Sequence, residues 1–358
     1  MYFNLHTGAS RGILSFKKFT DSPFLQILSN LLSALNPRSL LSLVPAILCG
    51  CSGDSAIETQ VAVNNLSFSK VMTDWVSDDS TLDIFAFEND RLGRLDSYQR
   101  IEAFSGTKTA ITSTGGNKTF FLCMNSRLGK YSWADIKSYS SLKTLYVDLE
   151  KEEPMNLTCS GELAGEAGEA LTGIILKPLA SEIVLRSIRC DFSGTPYSGK
   201  TIKNVKIYLT NVSASCQILY KEDSRPSRFI NCGMLNKADI FGFKNQDIIV
   251  RDMTTPISGE TSYPNIRLLC YPNRFIDDSP GSPQTRLVIE GQVDSATYYW
   301  PITINPEAGI ERGCRYVYDL LIRRKGCTDP DTAFDPISIE INMKVSPWIE
   351  KKEYTVGF

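Results

Sequence analysis

Gly194-Thr195-Pro196-Tyr197-Ser198-Gly199-Lys200-Thr201 satisfies the expression GxxxxGK[ST], a spacing that serves phosphate binding. Such a loop holds phosphate only when a helix starts directly after the lysine and aims its first backbone N–H groups at the anion. Here Ile202-Lys203-Asn204-Val205-Lys206-Ile207-Tyr208-Leu209 follows, with the period of a strand. With Pro196 inside it, the octet reads as a hairpin loop between Phe192 and Ile202. Asp329-Pro330-Asp331 and Asp335 gather carboxylates in the manner of a calcium loop. Ala333, however, stands where the next oxygen ligand would be needed, and no glycine follows. The segment reads as a turn, and neither a metal nor a cofactor is expected. Tyr298-Tyr299-Trp300 offers rings for stacking on sugars, but alternation along a strand turns at least one of the three toward the core.

A different chemistry attaches to Cys51. Arg38 precedes the apolar run Leu40-Leu41-Ser42-Leu43-Val44-Pro45-Ala46-Ile47-Leu48, which closes on Cys49-Gly50-Cys51. This layout is that of a secretory leader, and it resembles the lipobox of bacterial lipoproteins. The resemblance implies cleavage before Cys51, lipidation of its sulfur by diacylglycerol, and a leader over residues 1–50. The run is too short to span a bilayer. One turn of buried helix is the alternative. A second apolar patch, Phe24–Leu28, makes the leader long, or places the true start of translation further on.

Removing the leader removes His6, the sole histidine. Ser-His-Asp and Cys-His catalysis, the HExxH pattern and histidine metal ligation are then excluded. Of 38 basic and 40 acidic side chains, loss of Arg11, Lys17, Lys18, Arg38 and Asp21 leaves 34 and 39, a net charge of −5. No nucleic-acid partner is expected, since Arg323-Arg324-Lys325 is only a short run beside a turn. Cys123, Cys159, Cys190, Cys216, Cys232, Cys270, Cys314 and Cys327 show no zinc-like spacing. Several lie in apolar runs, where cysteine acts as a small hydrophobe; export would allow some to pair, in a pattern that sequence does not reveal.

The remaining residues, about 308, read as strands. Short β-branched and aromatic runs bounded by Gly, Asn, Asp and Pro recur at 60–63, 82–87, 119–124, 142–149, 183–192, 205–212, 247–250, 286–293, 298–304, 316–323 and 337–345. One short helix is expected after Ser132. The Gly/Glu/Ala stretch Gly161–Gly173 is the best linker, so two domains are expected, 51–176 and 177–358. The fold class is all-β, with antiparallel β-sandwiches.

Leu82-Asp83-Ile84-Phe85-Ala86-Phe87-Glu88-Asn89 resembles the first core strand of the Bacteroidales fimbrillins, and Gly116–Asn125 their next strand. Leu179–Phe192 with Ile202–Val212 looks like the hairpin entering their second domain. Tyr271-Pro272-Asn273 and Pro283-Gln284-Thr285-Arg286-Leu287 follow in the family's order. The most specific segment is Ile310-Glu311-Arg312-Gly313-Cys314-Arg315-Tyr316, then Gly326 to Asp331 and Val345 to Trp348. Gly313 replaces the usual Asn at a turn position where both tolerate positive φ.

The resemblance implies two tandem transthyretin-like sandwiches and a structural subunit of surface fimbriae, not an enzyme. Such a stalk, tip or anchor subunit is exported as a lipoprotein, held in outer-membrane lipid through Cys51, and supports adhesion to host or bacterial surfaces. Partners are other fimbrial subunits, joined by a strand that completes an open edge. Residues 59–68 are the candidate removable strand. The tail 348–358, with Tyr354, Val356 and Phe358 alternating, is the candidate donor; the alternative is a locally paired terminus. Lys70 is the sole basic residue between Cys51 and Leu82, whereas the best-known members are cut after an arginine. A glycan-binding lipoprotein of a nutrient-uptake system, using Tyr298–Trp300, is the second reading.

Overall fold

Most of these runs are strands in the computed structural model, which describes residues 61–70, 80–126, 133–276, 283–332, 339–347 and 354–356. The chain divides into a unit ending at Glu58, outside the described residues, and one from Thr59 to Phe358. In the latter, the strands before residue 179 are β1 (Val61–Lys70), β2 (Leu82–Glu88), β3 (Leu95–Ile101), β4 (Lys108–Thr114), β5 (Asn117–Met124), β6 (Tyr146–Asp148), β7 (Cys159–Glu166) and β8 (Ala170–Pro178). All but β6 form one seven-stranded sheet, ordered β3-β2-β5-β7-β8-β1-β4. The sheet curls until its two edges meet. Thr114 of β4 donates its N–H and Oγ1 to the Asp96 carboxylate of β3, at 2.7 and 3.0 Å. The buried Lys118 ammonium lies 2.7 Å from Glu88 and 3.3 Å from Asp96 at the same seam.

Curling explains why β2 and β5 are apolar on both faces. Leu82, Ile84, Ala86, Phe120, Leu122 and Met124 point into the curl, against Leu66, Phe68, Phe104, Ile111, Ile174 and Leu176. Phe85, Phe87, Phe121 and Cys123 point out, into a second and larger core. A strand covered on both sides reads as a continuous run instead of an alternation.

That larger core is built mainly by the strands that follow, β9 (Ser181–Cys190), β10 (Lys203–Thr210), β11 (Val212–Ser213), β12 (Ser215–Gln217), β13 (Phe229–Ile230), β14 (Val250–Asp252), β15 (Ile266–Cys270), β16 (Arg286–Val293), β17 (Ala296–Thr303), β18 (Cys314–Ile322), β19 (Ile339–Pro347) and β20 (Tyr354–Val356). Nine of them form a five-stranded sheet, β15-β9-β18-β19-β20, and a four-stranded one, β14-β10-β16-β17, while β11 pairs with β13 and β12 with β6. Ile183, Leu185, Tyr316, Tyr318 and Leu320 of the first share their core with Ile207, Leu209, Ile289 and Trp300 of the second. On the outer face of the five-stranded sheet, the buried Glu182 carboxylate accepts from Arg267 of β15 and Arg315 of β18.

The structure corrects five expectations. The sheets are mixed: β1 runs parallel to β8, and β9 parallel to β18. Gly161–Gly173 is not a linker but lies largely in β7 and β8, where Gly161 and Gly165 are needed for close approach; a Cβ on Gly161 would meet the Ile175 carbonyl at 2.4 Å. The segments 179–192 and 202–212 are not a hairpin, because β9 and β10 lie in different sheets. Within 142–149 only Tyr146–Asp148 is strand, after the helix Tyr139–Leu142. Gln246–Ile248 is a helical turn capped by the Asn245 side chain, with strand starting at Val250. After Ser132, the expected helix is the single turn Trp133–Asp135.

Candidate functional site

β1 sits between β4, to which it is antiparallel, and β8, to which it is parallel. Its period-two pattern turns Asn64, Leu66 and Phe68 inward, while Val61 and Val63 stay 69% and 56% exposed. Leu66 and Phe68 complete the inner core of the curled sheet, and the Phe68 ring lies 5.7 Å from that of Phe104. Asn64 is fully buried and uses its whole amide. Its Nδ2 donates to the Ile111 carbonyl at 2.9 Å and to Ser113 Oγ at 2.8 Å. Its Oδ1 accepts from the Gly168 N–H at 2.9 Å. Both flanking strands are distant in sequence, so without β1 a groove lined by Ile111, Leu171 and Ile174 would open between two unpaired backbones.

A second site of tight chemistry joins the curled sheet to the sandwich that follows. Glu152 is buried and accepts from Thr158 N–H at 3.0 Å and from Tyr271 Oη at 2.9 Å. Burial, and then the Glu152 charge, push the Tyr271 phenol well above its ordinary range. Arg312 donates to the carbonyls of Pro178 (3.0 Å), Ser160 (2.9 Å) and Lys177 (2.7 Å). Its guanidinium lies 5.9 Å from the Tyr220 ring, and burial holds its pKa below the usual arginine value. Gly313 then turns the chain with φ of +64° beside Pro178, as its place in the motif predicts. Tyr316 Oη accepts from the Glu311 N–H at 2.8 Å. The segment 310–316, singled out in sequence, is therefore a clasp between β8 and β18.

The other candidates fall as follows. Cys51 and residues 59–60 lie outside the described residues. Residues 194–201 form a loop followed by strand and no helix, though not the expected hairpin loop, because the strands on either side lie in different sheets. Asp331 receives Arg286 Nη1 at 2.6 Å, Asp335 lies outside the described residues, and among those described no cluster of metal-ligating side chains occurs. Trp300 is fully buried and donates Nε1 to the Arg324 carbonyl at 3.0 Å, so it presents no face to a sugar. Tyr298 is partly exposed, and the Lys325 ammonium lies 5.8 Å from its ring and 5.7 Å from that of Tyr197. All eight described cysteines are free, most of them buried. In the tail, Tyr354–Val356 pairs with β19, aligning Tyr354 with Val345 and Val356 with Met343; Phe358 lies outside the described residues. Asn64 was missed in sequence, although a polar residue on the apolar face of a strand was there to be seen.

No protein-family model matches the sequence, and no curated protein does. Solved structures do match. A candidate cell adhesion protein from Bacteroides eggerthii superposes with a TM-score of 0.61 at 16% identity, covering 81% of this chain and 96% of its own. A fimbrilin from Porphyromonas gingivalis gives 0.58 at 13% identity, covering 80% and 97%. The tip fimbrial protein Mfa3 of Porphyromonas gingivalis, with a C-terminal truncation, gives 0.51 at 10% identity, covering 80% and 100%. At these identities the shared property is the fold.

Proposed function

We propose that this chain is a subunit of a bacterial surface fimbria, joined to its neighbours by strand complementation, with β1 as the strand that gives way. The observation that carries the reading is the position of β1 between β4 and β8, with Leu66 and Phe68 seated in the inner core. In this reading β1 fills the groove until assembly, and the strand of another subunit then replaces it, regaining the same ladder and the same apolar pockets. The fold shared with a fimbrilin and with a tip fimbrial protein supports the same reading. Cys51 would carry the lipid that holds the exported precursor at the outer membrane, where two or more acyl chains suffice for stable anchoring. The domain division near residue 176 is proposed too, since the seven-stranded sheet ends with β8 at Pro178 and the next sheet starts at Ser181.

The test is a gel of cell-surface extract probed for this chain without boiling. Strand-complemented subunits run as a ladder that collapses to one band on heating. A single band under both conditions, from cells that carry fimbriae, would contradict the proposal.

A further inference from the structure

We infer that the groove filled by β1 selects its occupant through a buried amide: the incoming strand must carry Asn at the place of Asn64, with apolar residues at the places of Leu66 and Phe68. This deepens the strand-complementation reading and rests on it. The three partners of the Asn64 side chain all belong to the groove. Ile111 and Ser113 lie on β4, and Gly168 lies in the turn between β7 and β8. They remain when β1 leaves, as a pattern of two acceptors that are buried once a strand is seated and one donor, on exposed Gly168, that is partly buried.

Few side chains fit that pattern. Leu has the shape of Asn and neither function, and Asp lacks the N–H₂ donor. A slip of one residue would turn the strand's faces over, and a slip of two would place Ala62 or Leu66 against the polar pattern. Asn64 therefore fixes register as well as identity, the use for which a single buried Asn is best attested in helical assemblies.

The segment 348–358 does not carry this key. Seating Val356 and Phe358 in the pockets of Leu66 and Phe68 places Tyr354 at the amide position, and a shift by two places Lys352 there. Entry in the opposite direction places Phe358 there, and the segment contains neither Asn nor Gln. The occupant is then a strand of the pattern Asn-x-apolar-x-apolar other than residues 348–358, so copies of this chain do not join through that segment.

A protease site introduced between residues 71 and 79 of the full chain would allow β1 to be nicked while still seated. Exchange is then followed by fluorescence anisotropy, with a labelled peptide of residues 59–70 competing against unlabelled peptides. The native peptide should exchange. Its Asn64→Leu variant should compete at least tenfold less well despite greater apolarity, because buried acceptors lose their donor. A peptide of residues 348–358 should not compete. Equal competition by the Asn64→Leu peptide, or by the tail peptide, would overturn the amide selection while leaving strand exchange intact. Failure of the native peptide to exchange at any concentration would overturn the strand-complementation reading itself.

Discussion

Arg312 reaches three carbonyls of β7 and β8 from the start of β18, a reach that the shorter, single-headed lysine cannot reproduce. Arg312→Lys should therefore cost about 2 kcal/mol, the worth of a charged hydrogen bond with its buried acceptor left open, read as a fall in the urea midpoint. At Gly313 a Cβ would find only ordinary contacts, the nearest at 3.4 Å, so the cost of substitution is backbone strain. Gly313→Ala should lose about 1 kcal/mol, and Gly313→Asn clearly less, because Asn tolerates that conformation. The thiols make a pH prediction. Burial pushes Cys314 up to about 11 and Cys216 up to about 12. A raised pKa favours the folded state only while the unfolded thiol stays protonated. Stability should then be level to about pH 8 and fall as pH rises toward 11, with Cys314→Ala flattening part of the slope in urea melts. The segment 310–316 was legible as one contiguous run that resembles a known chain ending, although the bonds of Arg312 reach 134 to 152 residues along the chain. Asn64 belongs to no such run; as a single polar residue on an apolar strand face it gives no sign of its partners, which lie 47 or more residues away.

Strand content was legible wherever a run is covered on both faces, as in β2, β5 and β16. Misreadings cluster where tertiary placement overrides local pattern. Glycines that let β7 and β8 approach each other look like a linker in sequence, and the apolar residues of 142–149 belong to the surroundings of a short helix instead of a long strand. The parallel pairings of β1 with β8 and of β9 with β18 have no local signature at all, since pairing direction depends on segments far apart. For β1, the inward ring of Phe68 makes the clearest element-scale prediction. Phe68→Ala should destabilise the curled sheet by about 3 kcal/mol, and amide hydrogen exchange should rise in β1, β4 and β8 while β9 and β18 stay protected. A uniform rise across both sheets would show that the curled sheet is not a separate cooperative unit.

At the scale of the whole molecule, the five-stranded sheet carries its charges on its outer face. Asp319 accepts from Arg186 and Ser187 there, and Arg186 first among its neighbours holds the carboxyl below its ordinary range. A lowered pKa gives stability that is present above the ordinary aspartate range and lost as pH falls through the folded value. Asp319→Asn should therefore make the thermal midpoint less sensitive to acid below about pH 4. Assembly by strand complementation requires that β1 leave when subunits join. The most direct measurement is the N-terminal peptide of this chain, mapped by mass spectrometry in the heat-sensitive assemblies and in the free protein. Free chains should retain Val61–Lys70 and assembled chains should begin beyond it, with a foreign strand cross-linked to β4 and β8. Assembled chains that still hold their own β1 between those two strands would contradict strand complementation.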